Sequence, residues 1–377
     1  MITKKAMQTE KLNIESKEMR GVVDLFFHLI KCGIGNQDKL PHTPSEDDWN
    51  ELYQIAKKQT LTGIAFAGIE KLPQEQRPPK PLLLQWYSLC NIIEKENTEL
   101  NEKCSAVSEK FRSEGFKNCI LKGQGIAQLY PTPTLRTPGD IDIWLGGDDK
   151  KVIEYVRKFI PDCKPTYHHV DFPIAPGLDI EIHYRPSWTY NPITNRRLQK
   201  FFSTVAQEQF DNNITTAQGG FPTPTIAFNR IYILLHIYRH LFFEGIGMRQ
   251  LLDYYFVMQQ AMTPEEETEF IKLLKEFRLY KFAGATIYAM QEMFGYDAKA
   301  SAVKPNKRLG KFLIREIMIA GNFGKYDTRY KLDNYEYTFK RSLETIKRNS
   351  TLFTRYPGET LWSPYFKVWH YFWRRRH

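Results

Sequence analysis

The sequence predicts an α+β protein: a small mixed sheet, residues 115–190, flanked by an amino-terminal helical region (1–114) and a carboxyl-terminal helical domain (191–377). Three observations carry this expectation. From Leu82 to Glu114 there is no proline or glycine, and the apolar positions fit one long helix ending at Gly115. Between Asn118 and Tyr184, short apolar runs alternate with acidic residues and are separated by Gly and Pro, a pattern of strands and turns. After Asn191 helical spacing returns.

Taken in order, Val22–Ile30 is mostly apolar, and Trp49–Ile69 has amphipathic spacing behind the start signal Ser45-Glu46-Asp47-Asp48. Lys71–Pro81 contains Pro73, Pro78, Pro79 and Pro81 and reads as a linker. Asn118–Leu121 is a short strand, Gly123 a turn and Gln124–Leu129 a short helix, followed by a loop rich in Pro and Thr from Pro131 to Pro138. The strand carrying Asp140 comes next. Asp148–Ile160 is a helix with acidic residues in its first turn, where the helix dipole favours them. Val170–Phe172 and Leu178–Tyr184 are strands separated by Pro173, Pro176 and Gly177. This strand–helix–strand–helix–strand order places helices on one side of the sheet.

Beyond the sheet, helices are expected at Thr225–Phe243, Met248–Gln260, Pro264–Arg278, Ala283–Phe294 and from Arg308 onward. Trp362–His377 mixes aromatic residues with Arg374-Arg375-Arg376. It reads as a closing helix packed on the body with a basic tip, a membrane-surface or RNA contact being the rival reading.

At 377 residues, 42% hydrophobic and 14% aromatic, the chain is long enough for two or three packed units and too apolar for extensive disorder. Its five cysteines contain no Cys-x-x-Cys pair, which excludes a zinc ribbon or a thioredoxin-like motif, and free thiols suit a reducing cytoplasm. The stretch with Lys4, Lys5, Glu10 and Lys11 has no apolar signal core, and no run of 18 apolar residues occurs, so a cytoplasmic protein without a transmembrane segment is expected. The net charge of +10 reads mainly as solvated lysine, with an anionic partner (nucleotide, tRNA or lipid headgroup) left open.

The chemistry concentrates in Pro138-Gly139-Asp140-Ile141-Asp142-Ile143. Alternation along a strand puts Asp140 and Asp142 on one face and the isoleucines on the other. Paired carboxylates repel unless a cation sits between them, and hard oxygen ligands suit Mg²⁺ or Mn²⁺. In Leu178-Asp179-Ile180-Glu181-Ile182-His183-Tyr184-Arg185 the same rule aligns Asp179, Glu181, His183 and Arg185. If the two strands are neighbours, three carboxylates converge and two metal ions can bind. A metal-dependent phosphoryl or nucleotidyl transfer site is the reading to test.

A glycine turn opening a helix, a strand Asp-x-Asp and an acidic residue between apolar neighbours on a later strand resemble the DNA polymerase β-like nucleotidyltransferase superfamily. More narrowly, Leu121-Lys122-Gly123, Tyr130-Pro131, Arg136, Gly139-Asp140-Ile141-Asp142, Ile180-Glu181-Ile182-His183, Leu235–His240 and Arg249–Asp253 resemble the bacterial group of uncharacterised nucleotidyltransferases. The similarity runs from about Lys117 to Gln260. It implies transfer of NMP from an NTP, such as ATP, to an acceptor hydroxyl with release of pyrophosphate. It also implies that Asp140 and Asp142 are metal ligands, that Glu181 is the third carboxylate, acting as ligand or base, and that Gly123 opens the turn for backbone contacts to the triphosphate. Asp179 is the rival for Glu181's place.

Lys122 and Arg136 are the cations expected near the phosphates. The alternatives are a solvent-facing Lys122 and an Arg136 that steadies Asp140 or Asp142. Gln124 stands where the superfamily has Gly or Ser, and on that ground a catalytically inactive nucleotide-binding or interaction module of the same fold is the alternative function. The acceptor is open: a small molecule, a protein or tRNA. His183, His236, His240, Arg249 and Asp253 are expected to line the cleft, with Arg249 and Asp253 suitably spaced for an intrahelical pair. His236 and His240 lack the following glutamate of a zinc protease.

Overall fold

The computed structural model describes residues 17–173, 179–329 and 339–376. The stretch holding Lys4 to Lys11, the turn residues Pro176 and Gly177, Leu178 and His377 lie outside the described residues.

Helices α1 (Lys17–Gly33), α2 (Glu46–Lys58), α3 (Thr62–Lys71) and α4 (Lys80–Ser113) precede the sheet. Then come β1 (Asn118–Leu121), α5 (Gly123–Ala127), β2 (Ile141–Leu145), α6 (Asp149–Arg157), β3 (His169–Asp171) and β4 (Ile180–His183). They are followed by α7 (Pro192–Asp211), β5 (Asn213–Thr216), β6 (Gly219–Pro222), α8 (Ile226–Phe243) and α9 (Met248–Met258). The chain continues through α10 (Pro264–Glu276), α11 (Tyr280–Phe294), α12 (Lys307–Ala320), α13 (Phe339–Ser350) and α14 (Pro357–Arg376). The fold is α+β, as the sequence predicts.

The central sheet has the order β1-β2-β4-β3. Strand β2 runs antiparallel to β1 and parallel to β4, and β3 is antiparallel to β4. Alternation works as expected: Ile141, Ile143, Leu145, Val170, Ile180 and Ile182 share one buried cluster with Val152, Ile153 and Val156 of α6 and with Leu100, Cys104, Val107 and Phe111 of α4. The first half of α4 contributes Leu82, Trp86 and Cys90 to a second, larger cluster. There α1 packs on α3 and α11, so helices from before and after the sheet share one core. The opposite face carries Asp142, Glu181, His183, His169 and Asp171 beside the apolar Cys119, Leu121 and Trp144. At its edge Trp144 stacks on Phe228 of α8, with centroids 5.9 Å apart, which lays α8 over this face.

Three features differ from expectation. The Trp49–Ile69 segment is two helices, because Thr60 adopts φ +53° and the buried Gln59 turns inward, donating to the Ile317 carbonyl at 3.0 Å and accepting from the Met248 N–H at 2.9 Å. The Lys71–Pro81 segment is anchored rather than loose: Gln76 exchanges two hydrogen bonds with the Leu40 backbone, at 2.8 and 3.0 Å. After α7 a small hairpin, β5–β6, interrupts the helices. Its strands are short and rich in Thr and Gly, which leaves little apolar alternation to read.

Helix α14 closes on the body through Phe366, which stacks on Trp188 at 4.1 Å, while Leu361, Tyr365, Val368 and Phe372 face solvent. Among the described residues no helix is long and apolar enough to cross a membrane.

Candidate active site

This face of the sheet, opposite the isoleucines, carries two cross-strand rows. Asp142, Glu181 and Asp171 are register partners across β2, β4 and β3, and Trp144, His183 and His169 form the next row. The sequence-based expectation that the Glu181 strand lies beside the Asp142 strand holds in this arrangement. Asp140 stands just outside β2, open to solvent, and Asp179 is exposed at the start of the β4 segment, its carbonyl accepting from the Ile141 N–H. One oxygen or nitrogen from each of Asp142, Glu181 and His183 lies within 4.8 Å of the other two, close enough to ligate one ion. Asp140 is not in that group.

Asp142 is 2% exposed and is neutralised by the protein itself. Lys122 Nζ lies 2.7 Å from Oδ2, and His183 Nε2 lies 2.8 Å from Oδ1. Burial opposes charge on Lys122, but Asp142 and Asp140 outweigh it and raise its pKa. Burial likewise disfavours the His183 imidazolium, yet hydrogen bonds to Asp142 and Glu181 push its pKa up to about 9. The charge of Asp142, followed by burial, raises the Asp140 carboxyl to about 6. Glu181 is opposed by burial, but His169, His183 and Lys122 hold it well below the usual carboxylate range. His169 is lowered to about 4 by burial.

Lys122 follows β1 with φ +55°, an uncommon conformation for a residue with a side chain, and Gly123 comes next at φ +38°. This turn aims Lys122 at Asp142. The Gln124 side chain points away from the face: it is 2% exposed, and its Nε2 donates to Asn101 Oδ1 at 2.7 Å on α4. Its side chain therefore ties the turn to helix α4.

Arg136 also has a role other than phosphate contact. Its Nε and Nη2 fork onto the two oxygens of Asp253 at 2.7 and 2.8 Å, and Tyr130 Oη donates to the same carboxylate at 2.7 Å. Asp253 and Arg249 do not pair with each other. Arg249 Nη1 donates to the Thr137 and Pro138 carbonyls at 2.9 and 3.0 Å, so α9 grips the loop before Asp140 at two points. Asn97 of α4 adds bonds to the Thr134 and Arg136 carbonyls, both 2.7 Å. The loop that delivers Asp140 is clamped from two helices.

On α8, His236 and His240 stack edge-on at 4.3 Å, and His240 Nδ1 lies 2.8 Å from Glu244 Oε1. Burial lowers the pKa of both histidines. Arg239 stands between them in sequence, its guanidinium 4.9 Å from the Trp188 ring centroid; among the described residues no carboxylate lies within ion-pair distance of it. Sequence reasoning did not assign Arg239, Asp171, His168 or His169 to the site. The alternation of His169 and Asp171 along β3 was the available signal.

A carboxylate row on a small mixed sheet, with a lysine on its deepest member, marks an α+β protein with one concentrated acidic site. The chain belongs to the family described as uncharacterised nucleotidyltransferase, whose family model matches residues 45–295. Among solved structures it is similar to an antigenic nucleotidyltransferase-like protein from Paracoccidioides brasiliensis, with 12% identity, 57% of this chain and 96% of that chain covered, and a TM-score of 0.27. No curated protein matches it.

Proposed function

We propose that the protein transfers NMP from an NTP to an acceptor hydroxyl. The acceptor oxygen bonds to the α-phosphorus, the bond from that phosphorus to the bridging oxygen breaks, and pyrophosphate leaves. The observation that carries this reading is the register of Asp142 with Glu181, with Asp140 beside Asp142 and Lys122 at 2.7 Å. The oxygens of Asp140, Asp142 and Glu181 are the hard donors that Mg²⁺ or Mn²⁺ takes, and the proximity of Asp142 and Glu181 fits such an ion. When bound, the cation supplies positive charge against the triphosphate and acidifies the acceptor hydroxyl.

The chain's own groups do the rest. Glu181, held ionised, accepts the acceptor proton. Lys122 and Arg239 supply positive charge to the phosphates, and the Gly123 turn offers backbone N–H groups. Arg249 and the Arg136–Asp253 pair fix the loop so that Asp140 is held in place without reorganisation. The acceptor class is a small molecule, a protein or tRNA, and the free, mostly buried cysteines suit a cytoplasmic setting.

The test is incubation of the protein with α-labelled ATP, GTP, CTP and UTP, Mg²⁺ or Mn²⁺ and cell lysate, sorting label into protein, RNA and small-molecule fractions. Transfer by wild type and none by the Asp140→Ala/Asp142→Ala variant is expected. NTP binding without transfer in any fraction would favour an inactive nucleotide-binding module, and absence of binding would overturn both readings.

A further inference from the structure

We propose that His168, His169 and His183 form a site for a transition-metal dication of the Zn²⁺ type, beside the oxygen ligands that face the nucleotide. The site follows from the sheet. His169 and His183 are register partners on β3 and β4, and His168 immediately precedes β3. One ring nitrogen from each of the three histidines lies within 4.8 Å of the other two.

His168 Nε2 is 3.0 Å from His169 Nδ1, and His183, whose Nε2 lies 2.8 Å from Asp142 Oδ1, keeps a buried Nδ1 with no hydrogen-bond partner among the described residues. Bonds of about 2.1 Å to a zinc-like ion separate adjacent ligand atoms by roughly 3.0 Å at right angles and 3.4 Å in a tetrahedron. Three imidazoles select Zn²⁺, Co²⁺ or Ni²⁺ over Mg²⁺, which prefers oxygen and dehydrates reluctantly.

The surroundings orient these rings as ligand-bearing histidines are usually oriented. Thr166 Oγ1 lies 3.3 Å from His168 Nδ1, leaving Nε2 turned toward His169. Asp171 Oδ1 lies 3.7 Å from His169 Nε2, leaving Nδ1 turned toward His168. His168 and His183 are both more than nine-tenths buried, and Trp188 walls the cluster with its ring 6.2 Å from that of His168. The sheet face thus presents a row of carboxylates, Asp142, Glu181 and Asp171, beside the imidazoles of His183 and His169.

The experiment uses the full chain, stripped with a chelator and titrated with Co²⁺ without nucleotide, so its outcome is independent of whether label transfer succeeds. One equivalent is expected to bind with visible d–d absorption that millimolar Mg²⁺ does not displace. His169→Ala, whose residue is partly exposed, should weaken binding by at least about 10-fold. Asp140→Ala should leave the spectrum unchanged. A wild-type protein without the visible bands, or one whose Co²⁺ is displaced by Mg²⁺, would overturn the site whether or not the variants fold. A His168→Ala/His169→Ala variant that melts like wild type and binds Co²⁺ equally well would do the same.

Discussion

Lys122 Nζ lies 2.7 Å from Asp142 Oδ2 while His183 Nε2 holds Oδ1 at 2.8 Å, so one buried carboxylate is flanked by two cationic groups. The repulsion between Asp140 and Asp142 expected from their spacing is thus offset in part by protein charges. Lys122→Met leaves Asp142 with His183 as its only close counter-charge. A buried charge stripped of a partner costs about 3–5 kcal/mol; with His183 remaining, a loss at the lower end of that range is expected in a urea titration. An unchanged midpoint would mean that the pair contributes little.

Asp253→Asn should unfold the protein more readily without altering the affinity for NTP. The substitution leaves the Arg136 guanidinium, which forks onto both Asp253 oxygens, buried without its counter-ion, again a cost on the order of 3–5 kcal/mol. The check is the denaturation midpoint together with NTP binding by the variant at low temperature. A large rise in Kd with unchanged stability would instead place Arg136 against the phosphates.

These two cases mark what the sequence could and could not convey. The acidic face of β2 and the partner acid on β4 were legible, because a period of two fixes which side chains share a face; the pairing of Lys122 with Asp142 was not, because Lys122 lies in the turn after β1. Arg136 was not, because its partner lies 117 residues away on a helix whose packing no local pattern encodes. Gln124 looked like a defect in a phosphate turn; its side chain is instead bound to Asn101 of α4, a contact equally invisible to local reading. The triad of imidazoles depends on β3 pairing with β4, and β3 is only three residues long.

Arg239→Gln is expected to separate binding from stability. Its guanidinium is held by the Trp188 ring and a 3.5 Å contact to Ser187, without a carboxylate among the described residues. Burial lowers its pKa, so charge at this position is unfavourable to the folded chain and its removal should be neutral or slightly stabilising. NTP affinity should fall about tenfold, the equivalent of one charge-assisted contact at roughly 1.4 kcal/mol. Calorimetric titration with NTP alongside thermal melts decides it; a destabilised variant with normal affinity would remove Arg239 from the site.

Glu359 makes stability fall with rising pH. It is buried on α14, accepts from the backbone N–H groups of Tyr190 and Asn191, and burial raises its pKa from 4.5 to about 7. Below pH 4.5 it is protonated in both folded and unfolded chains, and its full contribution is present. Between about 4.5 and 7 the unfolded chain ionises first, so stability is lost, on the order of 3 kcal/mol across the window. Glu359→Gln should flatten that part of the curve of unfolding free energy against pH.

Gly63→Ala should disturb the loop before Asp140 from a distance. A β-carbon at Gly63 would lie 2.2 Å from the Leu135 carbonyl oxygen, and a backbone atom has little room to yield. A destabilisation of about 1–3 kcal/mol is expected from such overpacking, measured by thermal melting. Normal stability in this variant would show that the clamp on residues 134–138 tolerates movement.

Helix α4 is 34 residues long, about 51 Å at 1.5 Å per residue, and it is divided between two tasks. Leu82, Trp86 and Cys90 belong to the core of the helical body, whereas Leu100, Cys104, Val107 and Phe111 cover the apolar face of the sheet. The sheet therefore cannot be excised as an autonomous module: a fragment starting at residue 115 would expose the isoleucines of β2 and β4 to water. Melting one end of this spine uncovers the other, which makes for a single cooperative transition, and any gene fusion or truncation that respects function must keep α4 whole.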